Sequence, residues 1–367
     1  MNGSSMMKLR EGLLAVLLVV MVAPWSVTYA ATYDVLELPA VPSELASKSM
    51  IFAIRQYGGR YFAVGIQGHI LYSDDGGDSW TQAEVPVRST LLDIHFPTPE
   101  LGWAVGHEGV ILHSADGGKT WVKQYDGIRY GIEGKAYYEE RAAADPNDTL
   151  FPYLVEEMEF AITQGADKPL FKIYMHSTTS GHAAGAYGMI LRTEDGGKNW
   201  RHVLHSMEND SFLHYFDYAG LPGERIFFIS GEAGLLMVGD ATTETPSGKL
   251  IHSVPWEGSF FTSAAATDDA IVLGGLRGRM FRTTDIGRTW VVVEKPPTSA
   301  LVDSTRRANG NLVFVGIAGE ILTSTDDGYS FAQLPLRSGG RIYTVAEGPE
   351  GTLLVGGPKG IQKLKLP

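Results

Sequence analysis

The chain has 367 residues, of which 44 are glycine, and a formal net charge of −12 that makes nucleic acid an unexpected partner. This length suits one large all-β domain or two ordinary ones, and the glycine content is typical of a chain with many tight turns. Because the chain has no cysteine, it has no disulfide, thiolate metal site or cysteine nucleophile.

The first thirty residues have the pattern of a secretory signal. Lys8 and Arg10 precede an apolar run from Leu13 to Ala23, and Thr28-Tyr29-Ala30 offers small residues to a signal peptidase. An uncleaved membrane anchor is the alternative, but the apolar run is short for a span. We expect residues 1–30 to be removed, which changes the net charge to −13, and the mature chain, 31–367, to be periplasmic or otherwise extracytoplasmic.

An eight-residue motif, first seen at Ser73 to Trp80, occurs five times as Ser/Thr-x-Asp-x-Gly-x-Ser/Thr/Asn-aromatic. It resembles the Asp-box, a β-hairpin turn of sialidases and of several non-enzymatic β-propellers. The aspartate of such a turn accepts backbone hydrogen bonds, and the aromatic ring packs between sheets. Five equivalent aspartates around a ring cannot all face one substrate, so we expect a structural role. The positions concerned are Asp75, Trp80, Asp116, Trp121, Asp195, Trp200, Asp285, Trp290, Asp326 and Phe331.

Each motif belongs to a longer unit with the frame Val-Gly-x-x-Gly-x-Ile-Leu. Its first glycine recurs with spacings of 41, 79, 46, 44, 41 and 41 residues, at Gly65, Gly106, Gly185, Gly231, Gly275, Gly316 and Gly357. A period near forty with short β-rich runs is typical of propeller blades, because a lone four-stranded sheet cannot bury both of its faces. The sequence therefore predicts an all-β, seven-bladed β-propeller.

The second unit shows the four strands of one blade, A to D, at Leu91–Phe96, Leu101–Gly106, Val110–Ser114 and Thr120–Tyr125. The last unit supplies only three strands, whereas a β-like run from Tyr33 to Leu38 precedes the first unit. We expect this N-terminal strand to complete the last blade, which would close the ring without an exposed sheet edge.

The spacing of 79 residues indicates a helical insertion of about 38 residues before blade 3, within residues 127–169. Two segments have helical patterns, Glu133 to Ala144 and Thr149 to Gln164. In the second, Leu150, Leu154 and Met158 recur four apart. Asp148 is expected to cap this helix and Gly165 to end it.

Strand order divides the disc into two faces. In an antiparallel blade, the A–B and C–D turns share one face, and the B–C turns share the other with the connections between blades. The Asp-boxes are C–D turns, so the insertion belongs on the opposite face, where it would partly roof the central funnel. We expect partner binding on this B–C face. The candidate contact residues are Gln67, His107, Glu108, Tyr187, Glu232, Arg277 and Lys359 at the turns, with Tyr137, Tyr138 and Phe151 of the insertion.

No residue pattern predicts a catalytic, cofactor-binding or metal site. His202 and His205 lie three apart on a predicted strand, so they would point to opposite faces as ordinary exposed side chains. Glu156, Glu157 and Glu159 are expected on the solvated face of the insertion's second helix.

A sialidase-type glycosidase is the enzymatic alternative, because the Asp-box occurs in that class. Sialidases resemble six-bladed propellers that hold a substrate carboxylate with three arginines. The Phe/Tyr-Arg-Ile-Pro segment of those enzymes is absent, although Arg55, Arg225 and Arg277 are available. A carbohydrate-binding module is a further alternative.

The repeats at Ala104 to Trp121 and Ala183 to Trp200 resemble those of the photosystem II stability/assembly-factor-like propellers. This resemblance covers nearly the whole mature chain, and Gly165 to Leu170 looks like a bacterial subgroup similar to accessory proteins of RND-type exporters. It implies a non-catalytic assembly or accessory factor that docks onto a membrane protein from outside the cytoplasmic membrane. Photosynthetic members resemble one another in an arginine-rich client surface. The B–C turns here have no arginine cluster, so a different protein partner is expected.

Overall fold

A computed structural model describes residues 34–221, 226–240, 248–296, 298–336 and 338–367. The predicted signal peptide, residues 1–30, lies outside them. Seven antiparallel sheets follow one another along this part of the chain, six with four strands and the last with three. In every sheet, neighbouring strands are consecutive in sequence, so each sheet is a simple meander. The predicted seven-bladed propeller is confirmed.

The strands of blades 1 to 4 are as follows. Blade 1 contains β1 Ile51–Tyr57, β2 Arg60–Gly65, β3 Ile70–Ser73 and β4 Thr81–Gln82. Blade 2 contains β5 Leu91–His95, β6 Gly102–Gly106, β7 Ile111–Ser114 and β8 Val122–Tyr125. Blade 3 contains β9 Leu170–Met175, β10 Gly181–Gly185, β11 Ile190–Thr193 and β12 Arg201–His202. Blade 4 contains β13 Tyr215–Gly220, β14 Ile226–Gly231, β15 Leu236–Asp240 and β16 Lys249–Leu250.

Blades 5 to 7 repeat the same order of strands. Blade 5 contains β17 Phe260–Ala265, β18 Ile271–Gly275, β19 Met280–Thr283 and β20 Val291–Val292. Blade 6 contains β21 Leu301–Arg306, β22 Leu312–Gly316, β23 Ile321–Ser324 and β24 Ala332–Gln333. Blade 7 contains β25 Thr344–Glu347, β26 Thr352–Gly357 and β27 Gly360–Lys365. The first strand of each blade contacts the first strands of its neighbours around the whole ring, so these A strands line a central funnel.

The frame glycines end the B strands, where the backbone of the A strand comes too close for a side chain. A Cβ atom added to Gly65 would lie 2.2 Å from the carbonyl oxygen of Met50, and one added to Gly106 would lie 2.1 Å from that of Thr90. The same clash, at 2.1 Å from the oxygen of Pro169, occurs at Gly185. Glycine recurs here because the A and B strands must approach closely at this end of the blade.

The Asp-boxes form hydrogen-bonded turns that let neighbouring blades touch. In the second box, the Ser114 hydroxyl donates to Asp116 at 2.8 Å, and Asp116 accepts the backbone N–H of Thr120 at 3.0 Å. Although partial burial opposes ionisation, these donors lower the pKa of Asp116 to about 2. A Cβ atom at Gly118, where φ is +81°, would lie 2.5 Å from the Phe62 ring of blade 1. The box is thus also an interface between blades.

The insertion before blade 3 is helical, as predicted, and consists of α1 Gly127–Ala144 and α2 Leu150–Gln164. Helix α1 starts earlier than predicted because Asp126 accepts the N–H of Arg129 at 3.0 Å and caps it. Asp148 accepts the N–H of Leu150 at 2.7 Å, and Gly165 ends α2 with a φ of +79°. No helix in the described ranges is both long and apolar enough to cross a membrane.

The prediction that an N-terminal strand completes the last blade is wrong for residues 34–38, the part of that segment that the structure describes. Residues 34–40 form a turn and a loop outside every sheet. They instead meet the connection after blade 1, where Arg88 N–H donates to Val35 O at 2.7 Å and Ala40 N–H donates to Val85 O at 2.9 Å. Leu36 is buried in the core of blades 1 and 2, so this contact outcompetes pairing with β27. The ring closes by packing of β1 on β25 and β26.

A belt of buried polar contacts joins the A strands around the funnel. In four places a side chain of one blade's A strand accepts a backbone N–H of the following blade's A strand; the acceptor is the third strand residue in three blades and the first residue of β25 in blade 7. These bonds run from Ile173 to Asp93 at 3.3 Å, from Ser263 to Asp217 at 2.6 Å, from Val345 to Asp303 at 2.9 Å and from Ile54 to Thr344 at 2.9 Å. We call these residues, together with Arg55 and Lys172, the funnel belt.

Ion pairs extend the funnel belt across several blades. Arg55 of blade 1 lies 3.0 Å from Asp303 of blade 6 and 3.5 Å from Asp93 of blade 2. Lys172 of blade 3 lies 3.0 Å from Asp217 of blade 4. Although burial opposes ionisation of Asp303, the charge of Arg55 holds its pKa below the ordinary value. Each charge therefore depends on a partner supplied by another blade.

We expect Asp303→Ala to lower the free energy of unfolding by about 3–5 kcal/mol, because it leaves the Arg55 guanidinium short of a buried partner. Asp78→Ala is the control, since Asp78 is 70% exposed and pairs with Lys363 at the surface. Loss of this surface ion pair should lower the free energy of unfolding by about 1 kcal/mol or less. Guanidinium chloride unfolding measures both variants. Equal destabilisation by the two would show that the funnel belt is not a stabilising element.

Candidate functional site

Backbone hydrogen bonds hold the B–C turns beside the starts of the A strands. The first residue of the turn donates to the residue before the A strand of the same blade, from His107 to Thr90 at 2.8 Å and from Leu276 to Ser259 at 2.8 Å. The B–C turns and the entrance to the funnel formed by the first A-strand residues therefore belong to one face, the B–C face.

Four of the predicted contact residues occupy the tips of equivalent B–C turns. Gln67, Glu108, Tyr187 and Arg277 have φ values of 58°, 55°, 53° and 55°, and each is followed by a glycine that also has positive φ. Such paired left-handed residues form tight hairpin turns that match the strand twist. Non-glycine residues are strained in this conformation, and strained residues are common at binding sites. The Gln67, Tyr187 and Arg277 side chains are exposed.

The other three predicted turn residues lie beside the tips. His107 is exposed one residue before Glu108. In blade 4 the tip is Ala233, with φ of 49°, and Glu232 precedes it with a carboxylate oxygen 2.9 Å from Nδ1 of His214. Lys359 lies exposed in the turn between β26 and β27, where its ammonium donates to Gly339 O at 2.8 Å.

The insertion starts on the B–C face, as the strand order predicts. Gly127 packs against the B–C turn of blade 2, since a Cβ atom on Gly127 would lie 2.9 Å from the carbonyl oxygen of Glu108. From there α1 crosses β12, the outermost strand of blade 3, where Gly134 meets the ring of His202. These contacts place the helices along the rim of the disc. The prediction that the insertion partly covers the funnel is therefore wrong.

Burial against blade 3 corrects two expectations about side chains. Tyr138 is fully buried among Phe151, His202 and His205, so it is not available as a partner contact. His202 is 3% exposed, whereas the sequence predicted an exposed residue. Both errors have one cause, because α1 covers a strand that faces solvent in an ordinary blade. Tyr137 and Phe151 are half-buried.

An apolar patch covers the outer surface of the insertion next to blade 3. Phe160 of α2 is 55% exposed, and Tyr187 at the blade 3 turn is 56% exposed. Lys168 lies 6.0 Å above the Phe160 ring and 5.9 Å above the Tyr187 ring. A cleft of about 280 Å³ lies between these residues and Phe212. Other exposed apolar residues of the helices are Ile128, Ile132, Leu150, Tyr153 and Ile162.

A second apolar surface, absent from our sequence prediction, lies at the entrance of the funnel. In blades 1 to 6 the second A-strand residue, and in blade 7 the residue before β25, is apolar and half-buried, and it follows a fully buried residue. Neighbouring rings touch, with centroids 5.7 Å apart for Phe171 and Phe216 and 5.1 Å apart for Phe216 and Phe261. We call this set the mouth ring: Phe52, Leu92, Phe171, Phe216, Phe261, Val302 and Tyr343.

The sequence carries a signal for the mouth ring. In six blades the A strand begins with two adjacent apolar residues, such as Ile51-Phe52 and Leu170-Phe171, although alternation predicts that only one of them is buried. A β-bulge falls at this pair in six blades; it interrupts the alternation, and the second residue of the pair is half-buried.

The arginines available for sialidase chemistry lie in different surroundings. Arg55 is held in the funnel belt by Asp303 and Asp93. Arg277 occupies an exposed turn tip, and Arg225 lies outside the described residues. This arrangement gives the glycosidase alternative no support.

Comparison with known proteins agrees with the fold. The sequence profile of the family described as Photosynthesis system II assembly factor YCF48 matches residues 73–137 and 157–357, well over half of the chain. The chain belongs to the YCF48 family. A curated relative, "Photosystem II assembly lipoprotein Ycf48" from Synechococcus sp. (strain CC9902), is 26% identical over 180 residues, which span 47% of this chain and 51% of the relative.

Solved structures similar to this YCF48 family member include two YCF48 proteins. "YCF48 from Cyanidioschyzon merolae" has a TM-score of 0.61 at 15% identity, covering 89% of this chain and 98% of that one. "YCF48 bound to D1 peptide" has a TM-score of 0.59 at 16% identity, covering 90% and 99%. The WD40 β-propeller domain of Doa1 has the same TM-score, 0.59, at 12% identity, covering 90% and 95%. At these identities the likeness shows the fold alone.

Acid should destabilise the protein through its buried histidines. Burial lowers the pKa of His95 and His202 to about 3, lowers that of His176 and His205 to about 4, and lowers that of His182 well below the ordinary 6.5. Between pH 4 and pH 6.5 these histidines are therefore protonated in the unfolded chain but largely neutral in the folded chain. Stability is fully present above pH 6.5 and falls as the pH drops from 6.5 towards 4.

The free energy of unfolding should fall less steeply below pH 6.5 in His202→Asn than in the wild type. The difference in slope should be up to about 1.4 kcal/mol per pH unit. Urea unfolding between pH 7 and pH 4.5 measures this slope. His252→Asn, at an exposed position, is the control. The same slope in both variants would contradict a buried, neutral His202.

Proposed function

We propose that this protein is a non-catalytic assembly or accessory factor that binds a membrane protein complex through its B–C face. The observation that carries the proposal is the mouth ring, whose seven apolar residues are only half-buried and so leave apolar surface accessible at the funnel entrance. Contiguous exposed apolar surface commonly marks a protein interface in a soluble domain. The strained turn tips around it supply polar contacts that would orient a partner.

The apolar patch of the insertion extends this surface beyond the funnel. Tyr187 belongs to both regions, because it forms the tip of the blade 3 turn and borders the cleft beside Phe160. Tyrosine and phenylalanine are enriched in the buried cores of protein interfaces. A client with an extended apolar segment at the funnel and a second apolar surface over the insertion would fit both regions.

Family membership supports a client that is a protein. The matched profile describes an assembly factor, and one similar structure is titled as a YCF48 protein bound to a D1 peptide. The signal-like residues 1–30 favour a periplasmic location, and the resemblance of Gly165 to Leu170 to the bacterial subgroup favours an RND-type exporter as the client.

Phe216→Ser should reduce recovery of the client at least about tenfold, since it removes the central aromatic of three touching rings of the mouth ring. The control is Ile286→Ser, which removes a 44% exposed apolar side chain from an Asp-box on the opposite face. Tagged mature protein is incubated with solubilised membranes, and captured proteins are quantified by mass spectrometry. Equal recovery by the two variants would exclude the mouth ring as the binding surface.

The same captures test the identity of the client. Subunits of an RND-type exporter should be enriched by the wild-type protein and by Ile286→Ser, and depleted with Phe216→Ser. Specific enrichment of a different membrane complex would keep the assembly-factor proposal and reject the exporter.

A further inference from the structure

A cleft of about 430 Å³ opens on the rim of the disc, between the second half of α1 and the outer strands of blade 3. Three arginines line it, Arg141 from α1, Arg192 from β11 and Arg201 from β12. Hydrogen-bonding groups of Tyr137, His205 and Ser206 complete its wall. We call this the rim cleft. It shares no residue with the mouth ring or the turn tips.

The rim cleft carries more positive than negative charge, although the chain as a whole is acidic. Glu140 is the carboxylate that lines it, and Glu194 pairs with two of its arginines. Arg192 lies 2.9 Å from one Glu194 oxygen, and Arg201 contacts the other. Among the described residues, no carboxylate lies within ion-pair distance of Arg141. Two of the three guanidinium groups thus share the carboxylate of Glu194.

Arg141 is held in place without a carboxylate. Its guanidinium donates to the Tyr137 hydroxyl at 3.1 and 2.9 Å and lies 5.3 Å from the Tyr137 ring centroid and 5.8 Å from that of Phe151. Stacking and hydrogen bonding fix the planar group before any ligand arrives, which lowers the entropic cost of binding.

The positive groups of the rim cleft also oppose one another. The Arg192 side chain is 5% exposed, and burial and the charge of Arg201 both lower its pKa. Burial and then the charge of Arg141 lower the pKa of His205 to about 4. A bound anion would relieve this repulsion, because a negative charge stabilises every cation around it.

We propose that the rim cleft binds a phosphate-type oxyanion, either free or as the headgroup of an anionic phospholipid. Guanidinium groups pair with such oxyanions through two parallel N–H···O bonds, and arginine is favoured over lysine where this geometry is needed. The side-chain hydroxyl of Tyr137 is a further donor, whereas the Ser206 hydroxyl donates to Val203 O at 2.7 Å. The binding involves no covalent step.

One wall of the rim cleft lies outside the ranges that the family profile matches. The family profile matches residues up to 137 and again from 157, so Glu140, Arg141 and Ala144 fall between the matched ranges. The anion site therefore goes beyond the family relationship and does not depend on client binding at the B–C face.

Calorimetric titration of the mature protein with inorganic phosphate, against sodium chloride at matched ionic strength, tests the proposal. Arg141→Gln should weaken phosphate binding about tenfold or more, since a charge-assisted hydrogen-bonding group is lost. Arg306→Gln, which removes the same charge at an exposed position of β21, should change the affinity less than twofold. Phosphate should also raise the pKa of His205, measured by NMR, in wild type and in Arg306→Gln only.

Vesicles separate the two sources of the oxyanion. A lipid headgroup would be identified if the protein sediments with vesicles containing phosphatidylglycerol but not with vesicles of pure phosphatidylcholine. This sedimentation should be lost in Arg141→Gln. Phosphate binding without sedimentation would identify a free anion, and either result supports the site. Absence of both kinds of binding, or equal affinity in Arg141→Gln and Arg306→Gln, would overturn it.

Discussion

The funnel belt is the constraint on which the rest of this structure depends. Its buried charges are paired only across blades, with Arg55 reaching both Asp303 and Asp93, and Lys172 reaching Asp217. A buried ion whose partner is removed is strongly destabilising. Blades 1, 2, 3, 4 and 6 must therefore all be in place for these charges to be paired, which favours a closed ring over an open stack of sheets.

The binding surface follows from the same strands. The residues of the funnel belt come directly after the β-bulge in A strands such as β5 and β21, and the half-buried residue at the bulge lies at the entrance of the funnel. The A strands thus place a polar, cross-linked layer below an apolar one. Rigid support from below holds the half-buried mouth ring in a fixed geometry, as a preorganised interface requires.

Much of the fold could be predicted from the sequence, because the frame glycines answer a steric demand that repeats. Gly65 and Gly106 leave no room for a Cβ atom, so their spacing counts the blades directly. The ends of α2 could also be predicted, because Asp148 at its start and Gly165 at its end act through contacts within a few residues. Contacts between distant segments could not be predicted in this way. Tyr138 and His202 are buried because α1 happens to lie over β12, and Leu36 packs on blades 1 and 2 instead of joining β27.

The candidate site divides in the same way. The turn tips Gln67, Tyr187 and Arg277 could be placed on one face from strand order alone. The mouth ring was not predicted, because two adjacent apolar residues only interrupt the alternation expected of a strand. The β-bulge that gives the second residue its position is visible only in the structure. The rim cleft could not be predicted at all, since Arg141 and Arg201 come together only when the insertion folds along the rim.

Site-specific photocrosslinking in membranes would test most directly whether the B–C face is the docking face. A photoreactive phenylalanine derivative replaces Tyr187 on the B–C face or Tyr329 in an Asp-box, two tyrosines with nearly equal exposure of 56% and 57%. The account predicts crosslinks to a membrane protein from position 187 and none from position 329. Crosslinks from position 329 alone, or equal yields from both, would contradict it.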